Sequence, residues 1–113
     1  MSAPRPNASE VTGRASIFAA LGDATRLALV ATLLTGEPRS ISQLALGSPL
    51  TRQAITKHLR VLQGAGIVEG VRIGRERRFQ LCPEPLQQAQ SYLEQVSLQW
   101  QATLARLQSF VED

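Results

Sequence analysis

Toward the end of the chain, Leu86, Leu93, Trp100 and Leu107 recur at intervals of seven residues. Ala89, Val96 and Phe110 stand three places after members of that series. A repeat of this period lines one side of an α-helix, and it is the pattern of a helix that packs against a partner helix. Pro83 and Pro85 suit the start of such a helix, because the first turn has no use for their missing N–H groups. One long helix is therefore expected over about residues 84–112.

Charge is distributed just as unevenly. Residues 39–82 hold eight basic side chains (Arg39, Arg52, Lys57, Arg60, Arg72, Arg75, Arg77 and Arg78) against Glu69 and Glu76, a net of +6. Residues 1–38 balance three arginines against three acids, and residues 83–113 set Arg106 against four acids, a net of −3. The overall charge of +3 conceals this polarisation, which suits a surface lying on a phosphate backbone.

At 113 residues and 43% hydrophobic composition, the chain reads as one globular domain over residues 9–113, preceded by a flexible arm over residues 1–8. So small a domain buries a modest fraction of its surface, and oligomerisation often supplies part of the stability. The single cysteine, Cys82, cannot close an internal disulfide, which suits a reducing compartment. Residues 1–10 contain Pro4 and Pro6 but no apolar stretch of the kind a signal peptide needs. Nor is there an apolar run of membrane-spanning length, so a cytoplasmic, nucleoid-associated protein with no membrane partner is expected.

A helix is predicted around residues 10–21, carrying Val11, Ile17, Phe18 and Leu21 and ended by Gly22. Asp23 can cap a second helix, in which Leu27, Val30, Ala31 and Leu34 fall at helical spacing before Gly36 and Pro38 stop it. Ser40 with Gln43 forms a capping-box signature for a short third helix. Gly47, Ser48 and Pro49 make a turn, and Thr51 caps a fourth helix running to about Gln63, with Ile55, Leu59 and Leu62 on its inner face. Residues 67–82 read as a hairpin: Val68, Val71 and Ile73 answer Phe79 and Leu81, with Gly74, Arg75 and Glu76 at the tip.

A short helix, a tight turn and a second helix with a polar N-terminal face make a helix-turn-helix, here over about residues 40–63. In that motif the second helix enters the major groove with its N-terminal residues at the base edges. Arg52 can bond guanine bidentately, Gln53 can bond adenine, and Thr56 can offer a hydroxyl or a methyl. Lys57 and Arg60 are better placed for phosphates, and the basic hairpin for a neighbouring minor groove. The expected DNA-contacting set is Ser40, Thr51, Arg52, Gln53, Thr56, Lys57, Arg60, Arg75 and Arg77. The fold class is mainly α with a small β-hairpin, a winged helix-turn-helix of order α-α-α-α-β-β-α closed by a long dimerisation helix.

Three stretches and the hairpin tip now support a resemblance. Residues 20–27 (ALGDATRL), 56–62 (TKHLRVL), 65–68 (AGIV) and the wing at 74–81 (GRERRFQL) resemble the bacterial ArsR/SmtB transcriptional regulators, in order and across about residues 10–111. The resemblance implies a homodimer built from the first and last helices, binding an inverted-repeat operator in double-stranded DNA. It also implies repression of a promoter, usually relieved by an effector, whose identity these residues do not give. The dimer interface would include Phe18, Leu86, Leu93, Val96, Trp100 and Leu107.

Metal-sensing members of that family carry a cysteine pair on the first helix of the helix-turn-helix, or a His/Asp/Glu set on the last helix. Here those places read Ile41-Ser42-Gln43-Leu44-Ala45 and a helix with no histidine, so no metal ligand and no cofactor is expected. His58 reads as a structural or phosphate-facing side chain, Cys82 as an inert thiol, and Trp100 as packing, with a pocket-lining role as its alternative. The basic face taken alone could be a solvated helix surface. Its conjunction with the turn, the hairpin and the charge polarisation favours DNA. A winged helix used as a protein-interaction module, docking through the last helix, is the rival reading. An enzyme is not expected, since one His, one Cys and no phosphate loop supply no catalytic set.

Overall fold

A computed structural model describes residues 8–112, so residues 1–7 of the arm expected over residues 1–8 lie outside the described residues, while Ala8 already belongs to the first helix. The elements are α1 (Ala8–Leu21), α2 (Ala24–Leu33), α3 (Ile41–Ala45), α4 (Arg52–Gly64), β1 (Val68–Ile73), β2 (Glu76–Leu81) and α5 (Pro83–Glu112). Their order is the winged helix-turn-helix order that the sequence predicts.

Local chemistry sets most of the boundaries. Asp23 accepts from the Arg26 backbone N–H at 3.0 Å and so caps α2. At α3 the capping box is complete: Ser40 Oγ accepts from Gln43 N at 3.1 Å, and Gln43 Oε1 accepts from Ser40 N at 2.9 Å. Thr51 Oγ1 accepts from Ala54 N at 3.1 Å to start α4. The end of α4 is a Schellman motif, with Gly66 N to Gln63 O at 2.9 Å and Ile67 N to Leu62 O at 2.9 Å. Gly66 takes φ +75° there, a left-handed conformation that costs glycine little. The motif also brings Leu62 and Ile67, both fully buried, to the same end of the core.

The core lies under α4. Ile55, Leu59 and Leu62 are at most 1% exposed, and each contributes on the order of 1.5–3 kcal/mol by burial. They meet Ile17 and Ala20 of α1, Leu33 of α2, Leu44 of α3 and Phe79 of β2. In α2 the inner face is Leu29, Val30 and Leu33, whereas Leu27 and Leu34 are 52% and 66% exposed. The expected stripe at 27, 30, 31 and 34 is thus rotated, because this helix is apolar nearly all round and offers no polar face to fix its phase.

In the hairpin, Val68 pairs with Leu81, Gly70 with Phe79, and Ile73 with Glu76. Alternation then puts Val71 and Ile73 on the face opposite Phe79 and Leu81, not answering them. The tip is a two-residue turn at Gly74-Arg75, with φ +63° at Gly74 alone, as in a type II′ hairpin. Arg39 adds a one-residue third strand: its N–H and C=O bond Phe79 O at 3.0 Å and Phe79 N at 2.8 Å. Cys82 alone separates β2 from α5.

Candidate nucleic-acid interface

Because α4 buries one narrow stripe, its other residues project outward as a set. Arg52, Gln53, Lys57 and Arg60 are exposed, and with Thr56, Ile41 and Ser42 they line a groove of about 470 Å³ between α3 and α4. Among the described residues the only arginine or lysine in an ion pair is Arg78, with Glu76, so none of the three α4 cations is paired. Thr51, whose oxygen is taken by the cap, keeps its hydroxyl proton at the mouth of the helix. Thr56 donates to Arg52 O at 2.8 Å, leaving a methyl and a lone pair to face outward.

Ser40 is placed elsewhere. It is only 7% exposed, with its oxygen turned in to cap α3, so burial takes it out of the contact set. Ser42, two residues on and exposed in the groove, stands where Ser40 was expected.

The wing sorts its arginines by partner. Arg78 is held by Glu76, with Nε to Oε2 at 2.9 Å and Nη2 to Oε2 at 2.8 Å. Arg72, Arg75 and Arg77 surround a cleft of about 370 Å³ with Gly70 and Val71. Arg77 lies over the Phe79 ring at 5.3 Å, in room that only a glycine at 70 leaves: a Cβ there would meet Arg77 Nε at 2.7 Å. Six cations therefore remain unpaired across two adjacent elements, three on α4 and three on the wing.

The proposed dimer residues divide. Leu86 and Phe18 are half-buried against the core, and Phe18 meets Tyr92 with ring centroids 5.8 Å apart. An apolar groove of about 700 Å³ lies between α1 and α5, lined by Phe18, Leu21, Leu86, Ala89, Leu93 and Leu98 among others. Leu93, Val96, Trp100 and Leu107 are all exposed, Trp100 by 58%. From Gln90 to Glu112, every residue except Thr103 is exposed.

Cys82 sits half-buried behind the wing, and burial, then the charges of Glu69 and Glu84, push its thiol up. A thiol held in its protonated form is a poor nucleophile. The described residues contain no group of three His, Cys, Asp or Glu side chains that could hold a metal ion. No single helix among them is long and apolar enough to cross a membrane.

Comparison with known proteins agrees with this arrangement. Residues 14–71 match the family described as a helix-turn-helix domain. The structure resembles an ArsR-like transcriptional regulator from Rhodococcus sp. RHA1, with a TM-score of 0.84 and 36% identity over 95% of this chain and 97% of that one. The HTH-type transcriptional regulator YuzN of Bacillus subtilis is 38% identical over 77 residues, 63% of this chain and 84% of its own length. A homodimeric winged helix-turn-helix DNA-binding domain from Mycobacterium bovis, Mb0332, shares the fold at a TM-score of 0.64 and 19% identity, over 93% of this chain and 95% of that one. The chain belongs to the ArsR family of winged helix-turn-helix regulators, DNA-binding proteins of transcription rather than enzymes.

Proposed function

We propose that this regulator works as a homodimeric repressor, joined through α5 and α1 and bound to an inverted repeat in an operator. The observation that carries the reading is the gathering of the unpaired cations on the outer face of α4 and the wing tip, beside a cap-rich helix start that is free of acids. Arg52, Gln53 and the Thr56 methyl read base edges in the major groove, while Thr51, Lys57 and Arg60 bond phosphates. Arg75 and Arg77 grip from the wing, where a narrow minor groove attracts arginine. The uncovered apolar stripe of α5 supports a second copy as its partner, and the homodimeric M. bovis relative is consistent with that arrangement. A protein with this task works at the nucleoid.

Selection of bound duplexes from a random pool, followed by titration at several salt concentrations, tests the reading. A palindromic consensus is expected, with log affinity falling steeply and linearly in log salt as phosphate counterions are released. If no duplex is bound more tightly than random DNA at moderate salt, the repressor reading fails.

A further inference from the structure

Arg26 is the sole charged residue of α2, and its guanidinium faces two other helices. Nε donates to Ala20 O at 2.6 Å and Nη2 to Ala19 O at 3.3 Å. Both carbonyls belong to the last turn of α1, where intrahelical donors run out and the dipole is negative, although Ala19 O also accepts from Gly22 N at 3.2 Å. The remaining arm, Nη1, lies 3.3 Å from Nδ1 of His58 on α4. A guanidinium has no lone pair, so this bond is made by the His58 tautomer that accepts at Nδ1 and carries its proton on Nε2. Asp23, which caps α2, stands 3.8 Å from the same nitrogen.

We infer that Arg26 is a positioning residue for DNA binding, fastening the end of α1 to the recognition helix through His58. The inference rests on the reading of α4 as the base-contacting helix. Its physical basis is the difference between the two kinds of contact that seat α4. Ile55, Leu59 and Leu62 fix how deep the helix lies, but apolar packing has little direction and tolerates small rotations and slides. The Arg26–His58 bond is directional and comes from another helix, so it sets the phase of α4. His58 is adjacent to Lys57 and two residues from Arg60, and any turn of the helix at that point carries the base-facing side chains with it. Bidentate bonds to bases need donor–acceptor distances near 3 Å, whereas phosphate contacts survive a small displacement.

The test titrates the duplex selected by the wild-type protein, and a random duplex, with R26K, H58N, H58L and R26K/H58L, alongside thermal melts. Lysine keeps the charge and one carbonyl bond but cannot span three acceptors. R26K is therefore expected to bind the selected duplex roughly five- to tenfold more weakly, with random binding changed less than about twofold and the melting temperature close to wild type. Asparagine can present its oxygen where Nδ1 stood, so H58N should retain discrimination, and H58L should lose as much as R26K. The double variant should be no worse than either single one, because both delete one shared contact. Unchanged discrimination in R26K and H58L overturns the inference, as do additive losses in the double variant. Equal losses on both duplexes that track a lower melting temperature also overturn it, leaving Arg26 a simple cap for α1. A wild-type protein that prefers no duplex removes the DNA reading itself, and this inference with it.

Discussion

Helices α4 and α5 are both amphipathic, yet the chain finishes only one of them. Over 13 residues α4 buries Ile55, Leu59 and Leu62 completely and turns every cation outward. Over 30 residues α5 buries Ala89 alone, and leaves Leu93, Trp100, Leu104, Leu107 and Phe110 in solvent along a rod about 45 Å long. Polar residues on an outer face need no further partner. Large apolar residues on an outer face do, because water penalises each of them by a kcal/mol or more. The same chain thus carries one face complete in the single copy and another that the proposed dimer would complete.

The sharpest break in that comparison comes from the core of α4. Leu59→Ala should cost about 2–5 kcal/mol in chemical unfolding, whereas Leu107→Ala should leave the unfolding of a dilute single copy nearly unchanged. Next is the seam of α5. Trp100→Glu should move the protein to the monomer on sizing and weaken binding to the inverted repeat roughly hundredfold, since two linked heads become one. A monomeric wild type that binds the repeat as tightly would undo the contrast.

Smaller effects separate the cations. Arg52→Ala should cost about 1–3 kcal/mol on the selected duplex and relax preference at one base, while Arg75→Ala should weaken all sequences alike and lower the salt slope by about one. Arg78→Ala, which removes an arginine already held by Glu76, should change the salt slope least of the wing variants.

The smallest effect concerns acid. The Arg26 backbone N–H, more than the nearby charges of Arg26 and His58, holds Asp23 below its ordinary value of 3.8. A carboxylate with a lowered folded-state value contributes stability above the ordinary value and loses it as pH falls through the lowered one. Asp23→Asn keeps a cap but not the charge, so it should melt slightly below wild type at neutral pH, with the gap closing as pH falls through the lowered value.

Much of this was legible in the sequence because it is local. Caps at Asp23, Ser40 and Thr51, the Ala65-Gly66-Ile67 exit from α4 and the Gly74 turn each act within a few residues, so short patterns reveal them. The face of α2 was not legible, since Leu27, Leu29, Val30, Leu33 and Leu34 give a period without a phase. Arg39 was missed as a strand because one residue has no periodicity. Ser40 was given both a cap and a DNA contact because its polarity suits both, and only its burial separates the two. The Arg26–His58 bond spans 32 positions, a separation that no local pattern reports.

The single residue between β2 and α5 has a consequence for how such a regulator diversifies. With Cys82 as the whole connection, the reading head has almost no slack relative to the rod that would pair it with its twin. In the proposed dimer the letters of each half-site are then written on α4, and the gap between half-sites is written on α5. A lineage could rewrite either one while leaving the other intact, so operators of new sequence and operators of new spacing are separate evolutionary steps.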